Sequence, residues 1–405
     1  VKLAAIYGIF GGANATLLFL TNILLVRMID PSSYGKINFA LSYLAIIIPL
    51  ISFNALGIVG IKRAVLNESQ FHVFKTAYRK FIYIGTAVIL IASVAISVYY
   101  DSVGYLTFIL PAYIFCIAVT DYSSAILIQD GKPIVFGFSQ MLARGVGMAC
   151  IYVLIRLGCD SLISYFFGLT VGEAISIIYR SYRGNLRFFE RINCTIIEIR
   201  KASKEIMLYG LTLLPLLFFG WSFNGLDRIV IGKNEGMTSV AVYSFALTLA
   251  QSFSIINSAI MNVKMPEIYN KLAENSPHSI KYGRFLLLFL SIAGLLMPLA
   301  YLVMSFAIPK INVEYEGSVE IAIILIISVI FNGAYRLVIS ITDFYKKNLH
   351  KTILTISASL FAFILMISFV DMGGITAVAL SVLVGNIFLF CGALLLANSF
   401  TGIRQ

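Results

Sequence analysis

The sequence predicts an all-α integral membrane protein with twelve transmembrane helices in two related six-helix halves. Three observations lead there: a composition starved of charge, apolar runs of membrane-spanning length, and a faint repeat at half the chain. Of 405 residues, 60% are hydrophobic and 12% charged, with mean hydropathy +0.93. Soluble domains carry roughly 25% charged residues. A chain with half that charge must place most of its surface against hydrocarbon.

A spanning helix needs about 20 predominantly apolar residues. Runs of that kind fall at 4–28, 37–61, 81–99, 105–128, 134–156, 161–179, 207–227, 239–263, 284–307, 319–342, 352–371 and 374–397. Short alternating segments, which a closed barrel would show, are not evident. The first run is longer than a signal-peptide core and reads as a spanning helix.

The repeat centres on NILLVRMIDPSSYGKINFALSYL, Asn22 to Leu44: the end of one apolar run, a polar turn and the start of the next. From Arg228 to Ala250 a fainter copy follows, RIVIGKNEGMTSVAVYSFALTLA, with Phe39-Ala40-Leu41 returning as Phe245-Ala246-Leu247 and Arg27 as Lys233. Two homologous halves opening on the same helical hairpin account for it. The expected organisation is an amino-terminal six-helix lobe at 1–180, a basic linker at 181–206 and a carboxy-terminal six-helix lobe at 207–405.

Orientation follows from Lys and Arg. With both termini on one side, that side collects 22 of the 30 basic residues, and the other only Arg27, Lys36, Arg156, Arg228, Lys233 and Lys310. The positive-inside bias puts both termini in the cytoplasm. It also explains the net charge of +11 without a nucleic-acid partner. The linker's basic residues are expected to lie against anionic headgroups of membrane lipids.

Four prolines, Pro49, Pro111, Pro215 and Pro298, lie inside expected helices. A proline removes a ladder hydrogen bond and kinks the helix, so they mark packing irregularities or hinges. Signatures of catalysis are missing: no GxSxG, HExxH, Walker A, GxGxxG or DxD. The short outer loops leave no domain to house chemistry, so an enzyme is not expected. His72, His278 and His350 fall in separate loops, and the five cysteines show no CxxC spacing. Neither a metal site nor a cofactor is expected.

The informative residues are charges at membrane depth, which are rare, costly and turned toward a cavity or a partner. Arg144 falls near the middle of the fifth run and Arg336 in the tenth. Asp121 and Glu173 lie well inside the fourth and sixth. Arg27, Asp227 and Arg228 stand near the outer ends of the first and seventh. For each, the bland role is a structural ion pair or a snorkelling side chain. The two buried carboxylates fit either pairing with Arg144 or proton coupling. Trp221, the single tryptophan, sits mid-run in Trp221-Ser222-Phe223-Asn224, where an aromatic face and polar edges suit a sugar.

The stretches LLVRMIDPSSYGKINFAL at 24–41, LGIVGIKRAV at 56–65 and LDRIVIGKNEGMTSVAVYSFAL at 226–247, with the helix count, resemble the multidrug/oligosaccharidyl-lipid/polysaccharide exporter superfamily. Within it the chain is similar to the polysaccharide transporter branch, the O-antigen flippases. Asp30 departs from a turn in which the family often has Gly before the proline. The resemblance implies two pseudo-symmetric bundles around a central cavity that alternates its opening. It implies a flippase of the bacterial inner membrane, serving lipopolysaccharide biosynthesis. The substrate it implies is an undecaprenyl-diphosphate-linked oligosaccharide repeat unit, with other O-antigen assembly proteins as partners and a proton or sodium ion as coupling ion. In that setting Arg144 and Arg336 are expected to line a cationic cavity, with Arg27, Arg228 and Trp221 contributing; Asp121, Glu173 and Asp227 are the coupling or ion-pair carboxylates. Arginine suits diphosphate because its planar fork pairs bidentately with phosphate oxygens.

Two other readings compete. A multidrug or cation antiporter of the same superfamily typically has an acidic residue deep in an early helix, and the first three runs here have none. A membrane O-antigen polymerase needs large basic outer loops, which these short loops do not supply.

Overall fold

A computed structural model describes residues 2–52, 55–99, 105–184, 186, 195–274, 282–345 and 347–401. The described residues form helices joined by short turns, with no strand among them. In chain order the helices are α1 (Lys2–Met28), α2 (Pro31–Ser52), α3 (Ala55–Val65), α4 (Glu68–Tyr99), α5 (Leu106–Gln129), α6 (Pro133–Arg156) and α7 (Ser161–Arg183). There follow α8 (Ile196–Trp221), a π-helical turn at Ser222–Leu226, α9 (Asp227–Asn234), α10 (Met237–Gln251) and α11 (Ser254–Ala273). The last are α12 (Tyr282–Ile311), α13 (Ser318–Phe344) and α14 (Asn348–Thr401).

Each expected span overlaps one or more of these helices. Nine stretches among the described residues are long and apolar enough to cross a membrane. One of them, Leu349–Ser399, is two spans in one: α14 breaks at Gly374, whose φ of 54° and ψ of −140° leave the helical region. That left-handed φ favours glycine, and it falls where the sequence separates 352–371 from 374–397. Among the described residues, two spans read as continuous are interrupted instead. The stretch 207–227 ends in the π-helical turn, and 239–263 is broken between Gln251 and Ser254. The chain is a multi-pass membrane protein.

Polar residues at the turns set the helix starts. Asp30 Oδ2 accepts from the Ser33 backbone N–H at 2.8 Å and caps α2. Asp160 Oδ1 accepts from Leu162 and Ile163 N–H at 2.9 and 3.0 Å and caps α7. Asn67 with Gln70, and Thr195 with Glu198, form reciprocal capping pairs at α4 and α8.

Two compact units emerge from the packing. The first comprises residues 1–21 and 43–217, the second residues 22–42 and 218–405. In the first, α6 and α7 pack through small residues: a Cβ on Gly172 would stand 2.2 Å from the Ala143 carbonyl oxygen. At its basic end Arg63 bridges Asp130 (2.8 Å) and Glu68 (2.7 Å), and Lys62 pairs with Glu205.

In the second unit the hairpin 22–42 is bound by many small contacts. Tyr34 and Phe245 both set ring edges against Tyr315. Asn312 Nδ2 donates to Val26 O at 3.1 Å. Gly35 lies so near α10 that a Cβ there would be 1.8 Å from the Met237 carbonyl oxygen. Of the linker's basic residues, Arg187 and Arg191 lie outside the described residues.

Candidate functional site

The second unit holds a cavity of about 340 Å³ lined by polar side chains of α10, α11, α13 and α14. Its polar lining is Gln251, Ser254, Asn257, Ser328, Asn332, Arg336 and Asn386, with Phe223 and Met261 among the apolar walls. No carboxylate occurs among the described residues that line it. Both interrupted spans reach this space: Phe223 comes from the π-helical turn, and Gln251 and Ser254 flank the α10–α11 break. Irregular backbone at membrane depth is tolerated where it is buried in protein or borders a cavity.

Hydrogen bonds fix the wall. Asn332 Nδ2 donates to Asn386 Oδ1 at 2.8 Å, Asn386 Nδ2 to Ser328 Oγ at 2.8 Å, and Asn257 Nδ2 to Val329 O at 2.8 Å. These bonds tie α11, α13 and the second half of α14 together, so the amides are held in place before any ligand arrives. Arg336 is exposed at this wall, the single charged side chain among its described lining residues.

The other sequence-expected residues of this unit stand apart from that lining. Asp227 is 1% exposed; its Oδ2 accepts from Tyr243 Oη at 2.8 Å and its Oδ1 from the Arg228 N–H at 2.8 Å. Trp221 Nε1 donates to Ser42 O at 2.6 Å, and Arg228 Nη1 reaches Ser42 Oγ at 3.5 Å, leaving Nε buried with no hydrogen-bond partner. Both therefore meet the hairpin. Arg27 is exposed at the end of α1.

In the first unit the two expected carboxylates, Asp121 and Glu173, lie within electrostatic reach of each other. Glu173 on α7 is 7% exposed, and its Oε2 accepts from Thr120 Oγ1 at 3.0 Å. Buried Tyr113 lies within electrostatic reach of Arg144 on α6, Glu173 on α7 and Asp121 on its own helix, α5. Arg144 is half-buried.

Sequence reasoning missed Gln251, Asn257, Ser328 and Asn386, although amides inside apolar runs are the signal that marks them. It also counted Arg180 among charges on the inner surface. The structure buries it in α7, 1% exposed, hydrogen-bonded to Ser139, Thr120, Ser123 and Ser124. Among the described residues no group of three His, Cys, Asp or Glu side chains is placed to hold a metal ion.

No family model and no curated protein matches the chain. Solved structures do. An inward-facing multidrug resistance MATE family transporter of the MOP superfamily aligns with TM-score 0.70 at 14% identity, over 96% of each chain. The lipid II flippase MurJ, in an inward closed conformation, aligns with TM-score 0.72 at 15% identity, over 96% of this chain and 87% of that one. An outward-facing MATE structure aligns with TM-score 0.63 at 14% identity, over 99% and 96%. The fold is like that of these MATE and MurJ structures.

Proposed function

We propose that this chain is a flippase that carries undecaprenyl-diphosphate-linked O-antigen repeat units from the cytoplasmic to the periplasmic leaflet by alternating access. It works by transport rather than catalysis, in the bacterial inner membrane with both termini cytoplasmic, as lobes at 1–180 and 207–405 joined by a basic linker. The observation that carries this reading is the chemistry of the second unit's cavity: amides, hydroxyls, one arginine and no carboxylate among its described lining residues. Sugar hydroxyls exchange donor and acceptor roles with amides, as water does. Phe223 offers an apolar face to a sugar ring. Arg336 suits a phosphate oxygen pair. A cationic drug finds no counter-charge among those residues.

The physical need for such a site is large. An isolated charge moved into hydrocarbon costs up to tens of kcal/mol, so the headgroup must keep polar partners while its lipid tail stays in the bilayer. Arg144 in the first unit supplies a second cation. Arg27, Arg228 and Trp221 serve the exit path, with Trp221 and Arg228 acting through the hairpin they hold.

The test uses a host lacking its own O-antigen flippase. At matched membrane levels, Arg336→Ala and Arg144→Ala each lower surface O-antigen at least tenfold, with repeat units accumulating on the inner leaflet. Unchanged display in both variants removes the cationic site.

A multidrug antiporter is the second reading, favoured by the carboxylates Asp121 and Glu173, which lie within electrostatic reach of each other and of Arg180, and by the MATE fold. It requires that expression in an efflux-deficient host raise drug tolerance and that Glu173→Gln abolish the gain.

A further inference from the structure

Arg180 places a guanidinium where no surface charge belongs. Its Nε donates to Ser139 Oγ at 2.8 Å, and its Nη1 is shared among Thr120 O, Ser123 Oγ and Ser124 Oγ at 2.7–2.8 Å. All four partners are neutral. Glu173 and Asp121 act on it only through space. Nη2 is buried and has no hydrogen-bond partner. A buried cation whose contacts are all neutral is costly, and an unmet N–H adds to the cost.

Arg180 lines a small cavity of about 20 Å³ at the basic end of the first unit. Lys75, Tyr122, Ser123 and Ser181 bring the other polar groups, and Val119, Ile126, Ile177 and Leu186 the apolar walls. Every polar side chain of that lining can donate a hydrogen bond, and none is a carboxylate. We propose that this cavity is a binding site for a small monovalent anion of chloride's size. The room suits one weakly hydrated ion better than a multivalent oxyanion. Contact with Arg180 Nη2 would neutralise the buried charge, while apolar walls tolerate a diffuse single charge. The bound ion would thereby brace α5, α6 and α7 around Arg180. The site is separate from the amide-lined cavity of the second unit and does not depend on which substrate that cavity takes.

The experiment follows thermal unfolding of the full chain in nanodiscs of neutral lipid at constant ionic strength, with gluconate replaced by chloride or bromide. Wild type is expected to gain several degrees in Tm, saturably, with bromide acting like chloride and sulfate giving no saturable gain. Ser181→Leu fills the cavity without touching the Arg180 hydrogen bonds, and Ile177→Phe narrows it from an apolar position. Each is expected to lose the halide response while staying folded in gluconate. A wild type indifferent to halide overturns the proposal, as does a response that survives in whichever of these variants folds. An equal gain in sulfate, the mark of a general salt effect, also overturns it.

Discussion

At the residue scale, Asp30 shows how one side chain can serve a turn the chain must make. The backbone N–H of Ser33 is the main influence holding its carboxyl below the usual aspartate range, with the Ser33 hydroxyl and Lys36 adding to it against partial burial. A carboxylate at a helix N-terminus also meets the positive end of the helix dipole. The departure from glycine before Pro31 therefore has a local reason: the turn gains a cap. Asp30→Ala is expected to cost about 1 kcal/mol, read by thermal unfolding of the solubilised protein near neutral pH. The sign of the pH effect follows from a folded pKa below the unfolded one. The carboxylate's stabilisation is fully present above the ordinary value near 3.8 and is lost as pH falls through the lower folded value. Asp30→Asn keeps the cap but does not titrate, so the advantage of wild type over it should shrink below about pH 4. A gap that is constant with pH counts against the assignment.

At the element scale, each apolar run of the sequence overlaps one or more of the described helices, because a helix crossing hydrocarbon has no other way to satisfy its backbone. The break at Gly374 was legible for a related reason, since only glycine accommodates that φ at little cost. The π-helical turn and the α10–α11 break were not legible. Ser222, Gln251, Ser252 and Ser254 read equally well as polar residues inside a helix, and only tertiary packing decides that the ladder opens there. The same ambiguity hid the cavity wall, because Asn257, Asn332 and Asn386 are far apart in sequence and meet only through the packing of α11, α13 and α14. Arg336 was found as a charge at depth, whereas Arg180 was hidden by its nearness to a helix end.

Packing also makes the hairpin sensitive in a way its sequence does not advertise. A methyl group on Gly35 would strike the backbone of Met237, which cannot rotate away as a side chain can. Overpacking of that kind costs about 1–3 kcal/mol and forces the hairpin outward. Gly35→Ala is therefore expected to lower Tm, whereas Gly60→Ala, with nothing within 4 Å of its new methyl, should leave Tm unchanged or raise it. Equal behaviour of the two variants would remove the close approach of α2 to α10.

At the scale of the whole molecule, the distribution of positive charge predicts which end of each helix faces the cytoplasm. The end of the first unit that carries Lys62, Arg63 and Lys132 is rich in ion pairs and headgroup-seeking side chains, as the Arg63–Asp130 and Lys62–Glu205 pairs show. Nearby, α8 begins with exposed Ile196 and Ile197, followed by Arg200, Lys201 and Lys204, beside a groove that Phe81 and Met207 also line. Apolar side chains alternating with cations at one helix end suit the boundary between acyl chains and anionic headgroups, and anionic lipid is concentrated on the cytoplasmic leaflet. In the second unit the capped turn at Asp30 and the loop at Glu235 stand exposed, and the charge bias of the sequence predicts that they lie on the outer side. Single cysteines report the outcome directly. In a background without the native cysteines, Glu235→Cys should react in intact spheroplasts with a maleimide that cannot cross the membrane, and Ser69→Cys should react only after permeabilisation. The reverse pattern would invert the molecule and overturn the cytoplasmic placement of its basic face.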